Sequence, residues 1–280
     1  MVRFKKVVIY LVLFSFFISG CGQSYPKEKV AQYVVDLCKK EYGINVIAKV
    51  QGKTLGVFYE FKEGLFDETL LPTTQALEKI SDAFMVLSRV ALSTDADIKF
   101  IKLIAIDESK PGLKWSVARY LDDTRKFLAS FISKEESDLR TEIDYTFDPE
   151  LLTREDLRDF SLEDIKLEDF LAKQIAKKIR LGIMQAASSG EFIDVKISEG
   201  SFDRGRFAFV IETELKKKIL KGKVLDKYLL NLGLTVAGSV LKAYDFRDFN
   251  AVTVVDRRNS KMVAAKRDAL LGLTDKNIKK

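Results

Sequence analysis

The 280-residue chain contains no histidine. That absence removes Ser-His-Asp and Cys-His nucleophile pairs, imidazole general bases and every His-ligated zinc site. Two cysteines, Cys21 and Cys38, are too few for a disulfide scaffold or a four-thiolate metal centre. Four prolines and 15 glycines leave little material for long flexible tracts. No Gly-rich phosphate loop occurs, and no Asp-x-Asp-x-Asp-Gly calcium loop. What remains is an ordinary globular composition, 47% hydrophobic and 31% charged, with length for one large domain or two of common size.

The N-terminus reads as an address. Arg3, Lys5 and Lys6 precede an apolar run from Val7 to Phe17 broken only by Ser15, and Ile18-Ser19-Gly20-Cys21 follows. A cationic start, a short hydrophobic stretch and small residues before a cut are the parts of a secretory signal. The stretch is shorter than the ~20 apolar residues a spanning helix needs. The tetrapeptide resembles the lipobox of bacterial lipoproteins. That resemblance covers residues 1–21 and implies cleavage before Cys21, lipid on its thiol, and a membrane-anchored mature chain. Gly22 and Gln23, in place of an aspartate after the cysteine, imply the outer membrane facing the periplasm where the source has two membranes. Cys38 shares a helical face with Val30, Val34 and Leu37 and is expected to be a buried core thiol.

Charge divides the rest. Residues 133–169 hold 5 basic and 14 acidic side chains, whereas residues 170–280 hold 23 basic and 12 acidic. The densest basic run is Lys216, Lys217 and Lys218, continued by Lys221 and Lys223. For an exported chain it suits an anionic lipid surface or a cell-wall polymer, not nucleic acid; a solvated turn is the plainer reading.

Periodicity predicts an α+β fold built twice. A helix around Val30 precedes strands Ile44–Val50 and Leu55–Phe61. A long helix follows, striped by Leu77, Ile80, Phe84, Leu87 and Ala91. Strands Ile98–Asp107 and Leu113–Tyr120 flank a Pro-Gly turn, and a helix from Asp122 to Ile132 closes the unit. The C-terminal third repeats this order: helix Phe170–Ala187, strands at Ile193–Ser198 and Arg206–Thr213, helix Val224–Leu241, and a hairpin of Ala251–Asp256 with Lys261–Lys266. Val57–Phe61 lies over Phe209–Thr213, and Asp107 over Asp256. The expectation is a tandem duplication of an αββαββ unit with mixed sheets covered by helices. Its parts are a signal at 1–20, a first domain at 21–132, an acidic helical linker at 133–168 and a second domain at 169–280. Within the linker, Asp148-Pro149, Thr153 with Asp156 and Ser161 with Asp164 suggest helix starts, and Leu162 to Phe170 a strap that docks. The helix-strand-strand-helix-strand order resembles periplasmic BON modules and ring-building secretion modules in topology alone.

The closest acid pairs are Asp95 with Asp97, Asp122 with Asp123, and Asp245 with Asp248. Each falls at an element end, where capping and solvation account for it. Ser24-Tyr25-Pro26-Lys27 fits a Ser-x-x-Lys pattern ahead of any expected folded element. Trp115 shares a strand face with Leu113 and Val117 and reads as core packing. No catalytic residue, metal or cofactor is expected. The functional expectation is a lipid-anchored envelope protein with a non-catalytic binding or scaffolding role toward envelope proteins, lipid or polymer. The alternatives are a small-ligand-binding lipoprotein with its pocket between the domains, and a carboxylate-dependent hydrolase.

Overall fold

A computed structural model describes residues 24–147, 160–186, 193–215 and 222–277. The chain divides after Asp164 into two compact units.

In the first unit, α1 (Val30–Tyr42) leads into the hairpin β1 (Ile47–Gln51) and β2 (Thr54–Phe61). Helix α2 (Thr74–Leu92) crosses to β3 (Phe100–Asp107) and β4 (Leu113–Tyr120), followed by α3 (Leu121–Leu128). The strands lie side by side in chain order, with the β2–β3 pair parallel and its neighbours antiparallel. Two-residue alternation decides the faces. Leu55, Val57, Tyr59 and Phe61 of β2 join Ile101, Leu103 and Ala105 of β3 under the helices, as the alternation predicts. Gly43, at φ 68°, ends α1, and Thr73 Oγ1 caps α2 by accepting from Ala76 N. Cys38 is buried in this core, and burial pushes its thiol up to about 11, so it stays protonated and inert.

Part of the acidic segment belongs to the first sheet. After the single-turn helix α4 (Lys134–Leu139), capped by Ser133, residues Glu142–Phe147 form a fifth strand, β5, paired antiparallel with β4. The backbone from Phe160 to Lys166 is irregular, with no helix at Ser161. The expected helix starts at Asp148-Pro149 and Thr153 lie outside the described residues. Phe160 and Leu162 cover the sheet face opposite the helices, packing on Phe58, Ile104 and Ile106. Polar contacts pin this strap: Asp164 Oδ1 accepts from Lys53 N at 2.9 Å, and Lys102 pairs with Glu163 at 3.3 Å. Gly56 lets it close, because a Cβ there would stand 2.4 Å from Leu162 Cδ1. The first unit therefore runs well past residue 132.

The second unit repeats the plan: α5 (Leu167–Ala186), β6 (Ile193–Asp203), β7 (Arg206–Leu215), α6 (Gly222–Ala243), β8 (Ala251–Asp256), β9 (Lys261–Lys266) and α7 (Arg267–Asn277). Its four strands lie in chain order, and the middle pair, β7–β8, is again parallel. The tandem duplication is thus present in element order, strand order and strand sense. Leu171, Ile175 and Ile179 of α5 pack on Phe207, Phe209 and Ile211 of β7. Two details of register differ from expectation. Phe61 faces Asp107 and Ile211 faces Asp256, so Tyr59 matches Phe209, two residues from the sequence overlay. A slip of two keeps every side chain on its face, so alternation cannot detect it. In β6 a bulge between Val195 and Ile197 breaks the expected alternation and turns Ile197 toward the face of Glu212.

Candidate functional site

Helices α1 and α2 do not cover all five strands. Over β4 and β5 the sheet is open, and a groove of about 900 Å³ runs between α2, the sheet and α3. Its apolar walls are Leu77, Ile80, Phe84, Met85 and Leu92 from α2, Trp115 and Val117 from β4, Phe127 and Leu128 from α3, and Ile143 from β5. Several stay in water: Leu77, Met85, Leu128 and Ile143 are 43%, 51%, 65% and 52% exposed. The predicted stripe of α2 is split accordingly. Ile80, Leu87 and Ala91 are buried, together with Ala83, Val86 and Val90, whereas Leu77 is turned to the groove and Phe84 is only half-buried. An apolar arc wider than the covered face of α2 was the sequence signal for this surface.

Polar groups sit at one side of the groove. Arg119, near the end of β4, lies half-buried with its Cζ 5.2 Å from the Phe84 ring centroid. Its Nε donates to Thr141 Oγ1 at 3.0 Å, and Thr141 Oγ1 donates to Ser137 O at 3.0 Å. Neither Nη of Arg119 makes a hydrogen bond or ion pair among the described residues. Burial draws the guanidinium below its ordinary value, opposed by Asp138 and Asp123, without approaching neutrality. Thr124 is buried, and its Oγ1 has no hydrogen-bond partner among the described residues. The α4 insert that shapes this side is held by a buried ion pair: Arg140 Nη1 meets Asp123 Oδ1 at 2.8 Å, and Arg140 Nε meets Glu136 Oε1 at 2.7 Å.

The sequence-chosen residues fare unevenly. Cys21, Lys216, Lys217, Lys218 and Lys221 lie outside the described residues, and Lys223 is placed only as a first-turn position of α6. Trp115 is buried in the core as expected, yet it also walls the groove. Asp122 and Asp123 do not act together: Asp122 pairs with Lys126 at the surface, while Asp123 is fully buried on Arg140. Asp97 is shared by Lys53 and Lys99, Asp95 accepts from Lys27 N, and Asp245 pairs with Arg247. No cluster of three potential metal ligands occurs among the described residues.

An acid pair that sequence spacing did not suggest is Glu60 with Glu108, brought together by the parallel β2–β3 pairing. Burial, then the Glu108 charge and a hydrogen bond between the two, raise the Glu60 carboxyl. Glu60 lines a second, more polar cavity of about 660 Å³ with Tyr59, Lys62 and Lys79.

The segment Ser24–Lys27 is not free of the fold. Tyr25 is buried, its N donates to Ser93 O at 2.9 Å, and Thr94 Oγ1 donates to Tyr25 O at 2.7 Å. Leu92 and Ser93 also line the groove, so the clamp on Tyr25 adjoins one end of it.

No protein-family model and no curated protein matches the chain. Among solved structures, a sex pheromone staph-cAM373 precursor is similar at 12% identity, over 88% of this chain and 83% of that one, with a TM-score of 0.24. So slight a likeness decides neither fold nor function. No helix of the described residues is long and apolar enough to cross a membrane.

Proposed function

We propose that this chain is a lipid-anchored envelope protein that binds a partner at the membrane surface and does no chemistry of its own. Support begins with the lipobox-like Ile18-Ser19-Gly20-Cys21. The observation that carries the reading is the clamp on Tyr25. Only Gly22, Gln23 and Ser24 separate it from the cysteine, and an extended residue spans at most ~3.6 Å. A lipid on Cys21 therefore holds Tyr25, and the groove end beside it, within about 15 Å of the bilayer. The groove supplies a binding surface there, with apolar walls and unsatisfied polar groups, the usual make-up of a ligand site. The lack of histidine and the inert Cys38 thiol favour binding over catalysis.

The test is Cys21→Ala. The unchanged chain should take up a labelled palmitate analogue and sediment with membranes, and the variant should do neither. Equal labelling of both would remove the anchor from the account.

A further inference from the structure

We infer that the groove of the first unit holds a single-chain amphipathic anion, its acyl tail along α2 and its carboxylate or phosphate head on Arg119. The inference deepens the proposed function and rests on its placing of the groove at the membrane surface.

The argument starts from what the groove leaves unsatisfied. A guanidinium offers donors in a planar fork that fits a carboxylate or phosphate through two parallel bonds. Arg119 uses Nε on Thr141, and both Nη groups remain open among the described residues. Asp138 reaches the groove but makes no ion pair with Arg119, and Asp123 is engaged by Arg140. Thr124 lines the same groove, and its buried Oγ1 has no hydrogen-bond partner among the described residues. A buried polar group without a partner is costly and rare in a finished structure. An acidic head supplies the open fork of Arg119 with its partners.

The tail follows from the walls. Phe84, Met85, Leu128 and Ile143 form a continuous apolar surface of which much is exposed, and the space suits a flexible chain. The source follows from the anchor: the groove end at Leu92 and Ser93 adjoins Tyr25, beside the membrane that supplies such molecules. A free fatty acid and a lysophospholipid share this chemistry and differ in the head.

Trp115, the single tryptophan of the chain, walls the groove and reports on it. Dibromostearate, whose bromines quench tryptophan on contact, is titrated into the full chain alongside its uncharged methyl ester and a brominated lysophosphatidate. Saturable quenching is expected, with the ester binding about tenfold or more weakly, the scale of one charge-assisted contact. Arg119→Gln should bring the acid down to the level of the ester and leave the ester unchanged. Met85→Glu, at an exposed wall position, should abolish quenching by both. The tighter of stearate and lysophosphatidate names the head. Should Arg119→Gln fail to fold, the acid-against-ester comparison on the unchanged chain decides alone. Equal affinity for acid and ester, or quenching that never saturates, overturns the inference. Repeating the titration on Cys21→Ala separates the two claims: the anchor can fail with quenching intact, and quenching can fail with the anchor intact.

Discussion

Asp107 and Asp256 stand at the same point of the two repeats. Each ends the third strand of its unit, and the residue after each, Glu108 or Arg257, donates its N–H to the parallel neighbour, at Phe61 O (2.9 Å) or Ile211 O (2.8 Å). Each carboxylate also caps the turn that follows, Asp107 Oδ1 accepting from Ser109 N and Asp256 Oδ1 from Arg258 N. A shared side chain performing a shared local task is what duplication of one unit produces.

The second oxygens differ in reach: Asp107 Oδ2 accepts from Leu65 N and Phe66 N, tying down the chain that leads to α2, whereas Asp256 Oδ2 accepts from Asn259 Nδ2 at 3.0 Å within its own turn. Burial pushes the Asp107 carboxyl up, but the bonds from Ser109, Phe66 and Leu65 outweigh burial and hold it below the ordinary value of 3.8. A lowered value contributes stability that is present above the unfolded pKa and lost as pH falls through the folded one. Asp107→Asn should therefore cost about 2 kcal/mol at neutral pH. Its deficit should shrink under acid below pH 3.8. Urea unfolding across that range checks both, and Asp256→Asn should cost less.

The raised Glu60 carboxyl runs the other way. The folded state holds the proton more tightly than the unfolded one, so this site favours folding below the ordinary value near 4.5 and opposes it as pH rises through the folded value. Glu108→Gln removes the repelling charge. Its melting temperature should exceed that of the unchanged chain at neutral pH and converge with it below pH 4.5. No convergence would mean that the Glu108 charge is not part of what raises the Glu60 carboxyl.

Breaking the buried pair of Asp123 with Arg140 by Asp123→Asn should cost about 3 kcal/mol, since Arg140 loses its buried counter-charge and keeps the more exposed Glu136. The double change Asp123→Asn with Arg140→Met should recover part of that loss in the same denaturant titration. Additive losses would show that the pair is not coupled.

The strap offers a separate test of where the first unit ends. Phe160 stacks on Phe58 with ring centroids 5.3 Å apart, and Lys49 Nζ lies 5.0 Å from its ring centroid. Phe160→Ala should destabilise the first unit by about 3 kcal/mol, the scale of a lost buried aromatic. Hydrogen exchange should rise at Phe58, Ile104 and Ile106 while that at Phe207 and Phe209 stays unchanged.

Strands and helices were legible wherever one face is buried, since Leu55 to Phe61 and Phe207 to Ile211 alternate cleanly and Ile80 to Ala91 recur at helical spacing. β5 was missed although Ile143, Tyr145 and Phe147 also alternate. They sit amid acids, and the charge run hid a period-two pattern whose partner, β4, is set by tertiary pairing. The bulge in β6 was illegible for a related reason: Gly200 and Ser198 face inward because α5 presses there, a Cβ on Gly200 standing only 2.4 Å from Ala172 O. The groove left one trace, the excess apolar width of α2 at Leu77 and Phe84. Its polar side could not be read, because Arg119, Thr124 and Thr141 come from three elements that only folding brings together.

The central claim, a chain held to a membrane beside its own binding groove, is tested most directly at Cys21. Mass spectrometry of the intact protein from its native membrane should find a mature chain beginning at Cys21 and carrying a diacylglyceryl group, with acylation of the new amine as a further increment. A mature chain that retains residues 1–20, or one with an unmodified Cys21, would contradict it.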